Sequence, residues 1–244
     1  MARNEILPFL REQVPTMSVG IITADLMNLG SELSLLERLG VKIVHFDVMD
    51  GRFSPFMTVG PLFVKGIRTR LLKDVHLMIE RPLERVNEYV EAGADMVTVH
   101  AETDGDILAV LRRLGELNNV NDPDRGLVRG LAVNPATPTA ALEPLLGDAE
   151  MVSVLAVNPT MKGFPPVDSI ARRFKEIRDF VHTGNKDILL CIDGGVKRSN
   201  IGEIAELGAD IVVSGSAIFD GKAAAENARF MLEAVKAGSD RGRQ

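Results

Sequence analysis

Short runs of aliphatic and β-branched residues recur along the chain, separated by longer amphipathic stretches. The runs near 18–24, 42–47, 74–79, 96–100, 127–133, 151–157, 187–193 and 210–214 read as strands, because brief apolar runs bounded by turn formers suit strands buried on both faces. Helical patterns fill the gaps. Over 31–39, Leu33, Leu35, Leu36 and Leu39 form one apolar stripe behind Ser31, which is placed as an N-cap. A weak internal repeat marks the joints: Arg38-Leu39-Gly40-Val41-Lys42-Ile43-Val44, Glu91-Ala92-Gly93-Ala94-Asp95-Met96-Val97 and Glu206-Leu207-Gly208-Ala209-Asp210-Ile211-Val212-Val213. Each is a helix end, a glycine stop and a strand start. Strands alternating with helices predict a parallel sheet, and about eight such units in 244 residues fit a closed (β/α)8 TIM barrel better than an open doubly wound sheet.

No composition break or linker divides the chain, so residues 1–244 read as a single α/β barrel domain, with 1–15 an N-terminal extension and 238–244 a frayed tail. Within the extension, Ile6-Leu7-Pro8-Phe9-Leu10 either covers the bottom of the barrel or makes an oligomer contact. With 45% hydrophobic and 25% charged residues, the chain has material for a sizeable core and a solvated surface. The net charge of −6, without a basic face, argues against nucleic acid, as do the absent tryptophan and the single tyrosine. No apolar stretch approaches the roughly 20 residues of a spanning helix, and the N-terminus lacks a signal-peptide pattern. Cys191 is the only cysteine, which suits a reducing compartment. A cytoplasmic protein, assembled as a homo-oligomer, is expected.

The chemistry gathers at strand ends, where barrel enzymes place their reacting groups. Alternate side chains share one face of a strand, so His45, Asp47 and Met49 point one way in His45-Phe46-Asp47-Val48-Met49-Asp50-Gly51. His76 ends the third apolar run and Asp193 the seventh. Two imidazoles and two carboxylates from three strands make a complete set for a zinc-type divalent ion, and iron, manganese and cobalt also suit it. Asp47 and Asp193 come from strands far enough apart to face each other across the mouth. Such a pair can remove a carbon-bound proton on one side and return one on the other, inverting a stereocentre, provided the enolate oxygen is stabilised by a cation. Met49 and Met78 share the inward parity and offer apolar shielding. Gly194-Gly195 and Gly215-Ser216 follow strands seven and eight, where barrels often hold phosphate on backbone N–H groups. His100 is read as support or packing, His182 as solvated, Cys191 as core and Asp50 as a turn residue.

The segments ITADLMNLG from Ile22, HFDVMDGRFSP from His45, VHLMIERP from Val75, VTVHAE from Val97, IDGGVK from Ile192 and VVSGSAIF from Val212 resemble, in that order, the ribulose-phosphate 3-epimerase family. The resemblance covers most of residues 18–220. It implies that His45, Asp47, His76 and Asp193 are metal ligands. It further implies that Asp47 and Asp193 are the acid/base pair interconverting ribulose 5-phosphate and xylulose 5-phosphate through a metal-stabilised enediolate. His76, Gly194, Gly195, Gly215 and Ser216 match substrate contacts, mainly to phosphate. Three departures bear on substrate identity, one of them Leu155 in place of a methionine common in strand six. Gly20 stands where the family usually has a substrate-touching serine. After strand six the chain reads Asn158-Pro159-Thr160-Met161-Lys162-Gly163-Phe164-Pro165-Pro166 in place of a glycine-rich lid, with Lys162 and Gly163 taken as substrate contacts.

The leading expectation is therefore a metal-dependent 3-epimerase acting on a ketose phosphate, with Zn2+ the first choice of ion. The same chemistry on another ketose phosphate is the first alternative. A sugar-phosphate lyase or decarboxylase is disfavoured, because Met49 stands where related decarboxylating barrels carry lysine in an Asp-x-Lys-x-x-Asp pattern. A non-catalytic sugar-phosphate binder is disfavoured because all four ligand positions are present.

Overall fold

The computed structural model describes residues 6–159, 165–183 and 187–242. Eight parallel strands close into a barrel in sequence order: β1 (Thr16–Gly20), β2 (Ile43–Met49), β3 (Leu72–Met78), β4 (Met96–His100), β5 (Val128–Val133), β6 (Met151–Leu155), β7 (Leu189–Asp193) and β8 (Ile211–Ser214). The helices are α1 (Ile6–Gln13), α2 (Leu29–Arg38), α3 (Pro61–Gly66), α4 (Val86–Glu91), α5 (Ile107–Glu116), α6 (Val167–Thr183), α7 (Ile201–Glu206) and α8 (Ala224–Gly242). The (β/α)8 barrel expected from the alternating pattern is the observed fold. β8 pairs with β1 through Thr16 beside Ile211 and Ser18 beside Val213, which closes the sheet.

Two separate cores follow from the two faces of the strands. Outward residues such as Val44, Phe46, Val75, Val97, Val152 and Ile192 pack against the helices. Inward residues at the N-terminal ends of the strands, including Ile43, Leu72, Met96, Val128, Met151, Leu189 and Ile211, form a second apolar layer. Ile6 and Leu10 of α1 join that layer at 1% and 0% exposure. Of the two roles open for the N-terminal segment, the structure shows it plugging the barrel's lower end.

Some boundaries differ from the reading of the sequence. β1 spans Thr16–Gly20, and residues 21–24 already turn toward the next helix. β2 runs on to Met49, so its last inward position is the methionine. Ser31 lies inside α2, which starts at Leu29 after Asn28 without a side-chain cap. The first turn is instead prepared by Asp25, whose carboxylate accepts the Met27 amide hydrogen at 3.0 Å. Residues expected to fray from Gly238 onward are helical through Gly242. Gly238 lets α8 approach α7, since a Cβ there would lie 2.7 Å from the Ala205 carbonyl carbon. Among the described residues, no helix is long and apolar enough to cross a membrane.

Candidate active site

Because successive inward positions on a strand lie two residues apart, β2 brings His45 and then Asp47 upward through the barrel, while β3 brings Asp74 and then His76. The register sets His45 beside Asp74 and Asp47 beside His76. β7 delivers Asp193 from the other side, beside Leu155 of β6. One ligand atom from each of His45, Asp47, His76 and Asp193 lies within 4.8 Å of the other three. All four residues marked in the sequence as ligands therefore meet at one point.

The spacing suits a cation. His45 Nε2 is 3.2 Å from Asp47 Oδ1 and 3.7 Å from Asp193 Oδ2. His76 Nδ1 is 3.1 Å from Asp193 Oδ2 and 3.8 Å from Asp47 Oδ1. Ligand atoms bound at about 2.0–2.1 Å around a tetrahedral ion sit about 3.3 Å apart, which falls within this range. His76 Nδ1 is buried without a hydrogen-bond partner, an orphaned atom that a metal ion would satisfy. The donor set of two imidazoles and two carboxylates fits a divalent metal, and the cluster could hold one.

The electrostatics agree. Burial opposes protonation of His45, yet Asp74 and Asp47 outweigh it and hold its pKa well above the ordinary value of 6.5. Burial would raise the Asp47 pKa, but His45 and then His76 bring it below 3.8. Positive charge is favoured where the four side chains meet.

A second set of buried polar groups holds the imidazoles. His45 Nδ1 is 2.7 Å from Asp74 Oδ2, and the Ser18 hydroxyl donates to the same oxygen at 2.8 Å. This turns His45 Nε2 toward Asp47. On the other side, His76 Nε2 lies 2.9 Å from His100 Nε2, and His100 Nδ1 lies 3.0 Å from Glu102 Oε2. Burial, opposed by Glu102, lowers the His100 pKa from its ordinary value. Burial would raise the Glu102 pKa, but hydrogen bonds from His100, Thr137 and the Asn134 amide hold it below 4.5. Asp74, Ser18 and Glu102 were not singled out in the sequence. Parity carries the signal for the first two: Asp74 precedes His76 by two residues and Ser18 precedes Gly20 by two, one inward layer below the mouth.

Beside the cluster is a cavity of about 170 Å3 whose lining includes Asp47, Asp193, Gly194, Gly195, Gly215 and Ser216. Gly20 and Thr23 line it too. Gly194 and Gly195 both have positive φ, 102° and 64°, so the chain after β7 turns sharply and offers backbone to the cavity. A Cβ on Gly215 would sit 2.6 Å from the Gly20 carbonyl oxygen, so these two backbones approach as only glycine permits. Met78 is 2% exposed and Met49, opposite it in register, is half-buried. Lys162 and Gly163 lie outside the described residues. His182 is exposed on α6, Cys191 is buried in the lower layer, and Asp50 accepts the amide hydrogens of Arg52, Phe53 and Glu80.

Residues 16–219 match the model of the ribulose-phosphate 3-epimerase family. This chain belongs to that family. It is 36% identical over 202 residues to ribulose-phosphate 3-epimerase of Bacillus subtilis, covering 82% of this chain and 89% of the relative. The Escherichia coli K12 enzyme of the same name is also 36% identical, over 204 residues, covering 82% of this chain and 87% of the relative. The chloroplastic ribulose-5-phosphate-3-epimerase of Arabidopsis thaliana is 35% identical over 212 residues, covering 86% and 73%. The chain is an isomerase of the epimerase type. Among solved structures, 3-hexulose-6-phosphate synthase from Salmonella typhimurium superposes with a TM-score of 0.60 at 20% identity, covering 91% of this chain and 99% of that one. KGPDC from Streptococcus mutans gives 0.66 at 13% identity, covering 92% and 99%. These two likenesses concern the barrel alone.

Proposed function

We propose that this protein inverts carbon 3 of a ketose phosphate, with D-ribulose 5-phosphate and D-xylulose 5-phosphate as the exchanging pair. Asp47 and Asp193 are assigned as the proton carriers, and His45, His76 and the same two aspartates as holders of one divalent ion, Zn2+ by first choice. The observation that supports this most is the meeting of two carboxylates from β2 and β7 with two imidazoles, beside a glycine-lined cavity. When bound, the ion supplies positive charge that offsets the negative charge developing on substrate oxygens.

The residues carry the rest of the reaction. One carboxylate enters ionised and takes the proton from carbon 3; the other enters protonated and delivers its proton to the opposite face of the same carbon. The protonation states of the two aspartates are exchanged after each turnover, so the enzyme is poised for the reverse direction. Backbone amides around Gly194, Gly195, Gly215 and Ser216 are assigned to the phosphate, and Met49 and Met78 to keeping water from the carbanion. Inward parity places Met49 where a lysine would serve decarboxylating barrels, so the lyase reading gains no support.

The test is hydrogen–deuterium exchange at carbon 3 across a panel of ketose phosphates, before and after treatment with a chelator. Fast exchange into ribulose 5-phosphate that chelation abolishes and added Zn2+ restores is expected. Strong turnover of a different sugar beside negligible turnover of ribulose 5-phosphate would retain the chemistry and overturn the substrate.

A further inference from the structure

The proton transfer proposed above uses neither His100 nor Glu102, yet both are built into the barrel at the cluster's edge. We propose that they are positioning residues: Glu102 sets the tautomer of His100, which sets that of His76, so that His76 keeps its Nδ1 lone pair aimed at the cation. This deepens the reading of the cluster as a metal site and rests on it.

The assignment follows from donors and acceptors. With one hydrogen on each ring, two imidazoles whose Nε2 atoms lie 2.9 Å apart share one proton between those atoms. Two protons would repel, and none would set lone pair against lone pair. Which ring contributes the proton is decided at the far end. An ionised carboxylate only accepts, and Glu102 Oε2 lies 3.0 Å from His100 Nδ1, so that nitrogen carries hydrogen. His100 then has a lone pair on Nε2 and must receive hydrogen from His76 Nε2. With its one hydrogen on Nε2, as a ring that holds a cation through Nδ1 must have it, His76 is left with its lone pair on Nδ1.

Three further observations fit. His76 Nδ1 is buried and has no hydrogen-bond partner. The two rings are held: they are 1% and 0% exposed, their planes lie within 14° of each other, and the Phe53 ring packs 4.6 Å from His100. Glu102 is held as well, because its Oε1 accepts the Asn134 amide hydrogen at 2.8 Å. The opposite ligand follows the same logic in one step. Asp74 accepts from His45 Nδ1, leaving Nε2 to face the cluster.

The decisive variant is Glu102→Gln, nearly identical in shape. The new amide oxygen takes the Asn134 N–H, which turns the NH2 group toward His100 Nδ1. That nitrogen must now accept, so the His100 proton moves to Nε2 and meets the His76 Nε2 proton head on. His76 escapes by carrying its proton on Nδ1, where the cation should sit. Zn2+ affinity of the purified protein, measured by competition with a chromophoric chelator, should fall about 10- to 100-fold.

Loss of the Glu102 charge alone would also weaken cation binding, and a second background separates the two effects. In His100→Gln, the amide oxygen replaces the accepting nitrogen and has no tautomer to set. Adding Glu102→Gln there should change Zn2+ affinity less than about threefold, because the coupling has gone. An equal fall in both backgrounds would overturn the inference in favour of simple charge. So would unchanged affinity in Glu102→Gln. Imidazole 15N spectra of metal-free protein give an independent readout: the His76 proton should move from Nε2 to Nδ1 in Glu102→Gln, and an unmoved proton overturns the proposal even if the double variant does not fold. Failure of the wild-type protein to bind Zn2+ or any other divalent ion would instead overturn the metal reading beneath it.

Discussion

On β7, Leu189 and Cys191 lie in the apolar lower layer while Asp193, two residues above Cys191, reaches the ligand cluster; on β2, Ile43 gives way to His45 and Asp47 in the same steps. The two ends of the barrel thus share strands, register and inward parity, and differ in what fills each layer. Below, α1 closes the barrel and the contents are aliphatic and sulfur-bearing groups that gain by leaving water. Above, the strands hold like-charged carboxylates close together, an arrangement that costs stability unless positive charge offsets it. Cavity size does not separate the ends. Clefts of about 450 and 540 Å3 open among Lys65, Arg68, Arg70, Lys42 and Asp122, against about 170 Å3 beside the cluster. Convergence of ligand atoms separates them: among the described residues, the one such group lies at the upper end.

The contrast is sharpest within one strand. Asp193→Asn should lower carbon-3 exchange by roughly a thousandfold, since it removes the carboxylate assigned above both as a proton carrier and as a cation ligand. Cys191→Ala, one layer below, should leave exchange within about twofold and cost about 1–2 kcal/mol in denaturant unfolding. A comparable loss of exchange from both would mean that the layers are not functionally distinct.

The plug gives the reverse test. Leu10 is 0% exposed against the lower layer, so Leu10→Ala should destabilise the fold by about 2–5 kcal/mol. At a temperature where the variant remains folded, kcat should match the wild-type value. A drop in kcat of tenfold or more would show that the lower layer governs the geometry of the mouth.

The sequence was legible wherever a period repeats. Eight apolar runs with glycine stops were enough for the barrel; two-residue parity marked His45 and Asp47, and position at the end of an apolar run marked His76 and Asp193. Legibility failed where one side chain answers another across strands. Glu102 matters to the site through His100, and Asp74 through His45; such partnerships depend on register between strands, which no local pattern states. Caps failed for a related reason. Ser31 had the right residue type, but the chain had already turned helical two residues earlier, after the Asp25 turn. The stretch over 118–126 is rich in the turn formers of a surface loop, yet Asn119 is wholly buried, donating to Asp95 and to the Gly126 carbonyl.

Not every acid at the upper end should belong to the chemistry, and Asp50 offers the smallest and most discriminating test. It sits three residues past Asp47, but its carboxylate turns to the backbone: Oδ1 accepts from Arg52 and Phe53 at 2.9 and 3.0 Å, and Oδ2 from Glu80 at 2.8 Å. It ties the loop after β2 to the loop after β3. Burial would raise its pKa, but these three hydrogen bonds bring it below 3.8. The unfolded chain keeps the ordinary value and so binds more protons between the two, and stability rises with pH across that window. The contribution is therefore complete above about pH 4 and is lost as pH falls through the depressed pKa. Asp50→Asn retains one acceptor and sets an NH2 against the Glu80 amide. Because the group is only partly buried, at the edge of the loops, the cost at neutral pH should be only about 1 kcal/mol. Thermal unfolding across pH should show the gap between wild type and variant narrowing below pH 4, with carbon-3 exchange at neutral pH within about twofold. A gap that stays constant with pH would remove the carboxylate's charge from the account, and a tenfold loss of exchange would move Asp50 from the loop scaffold into the site.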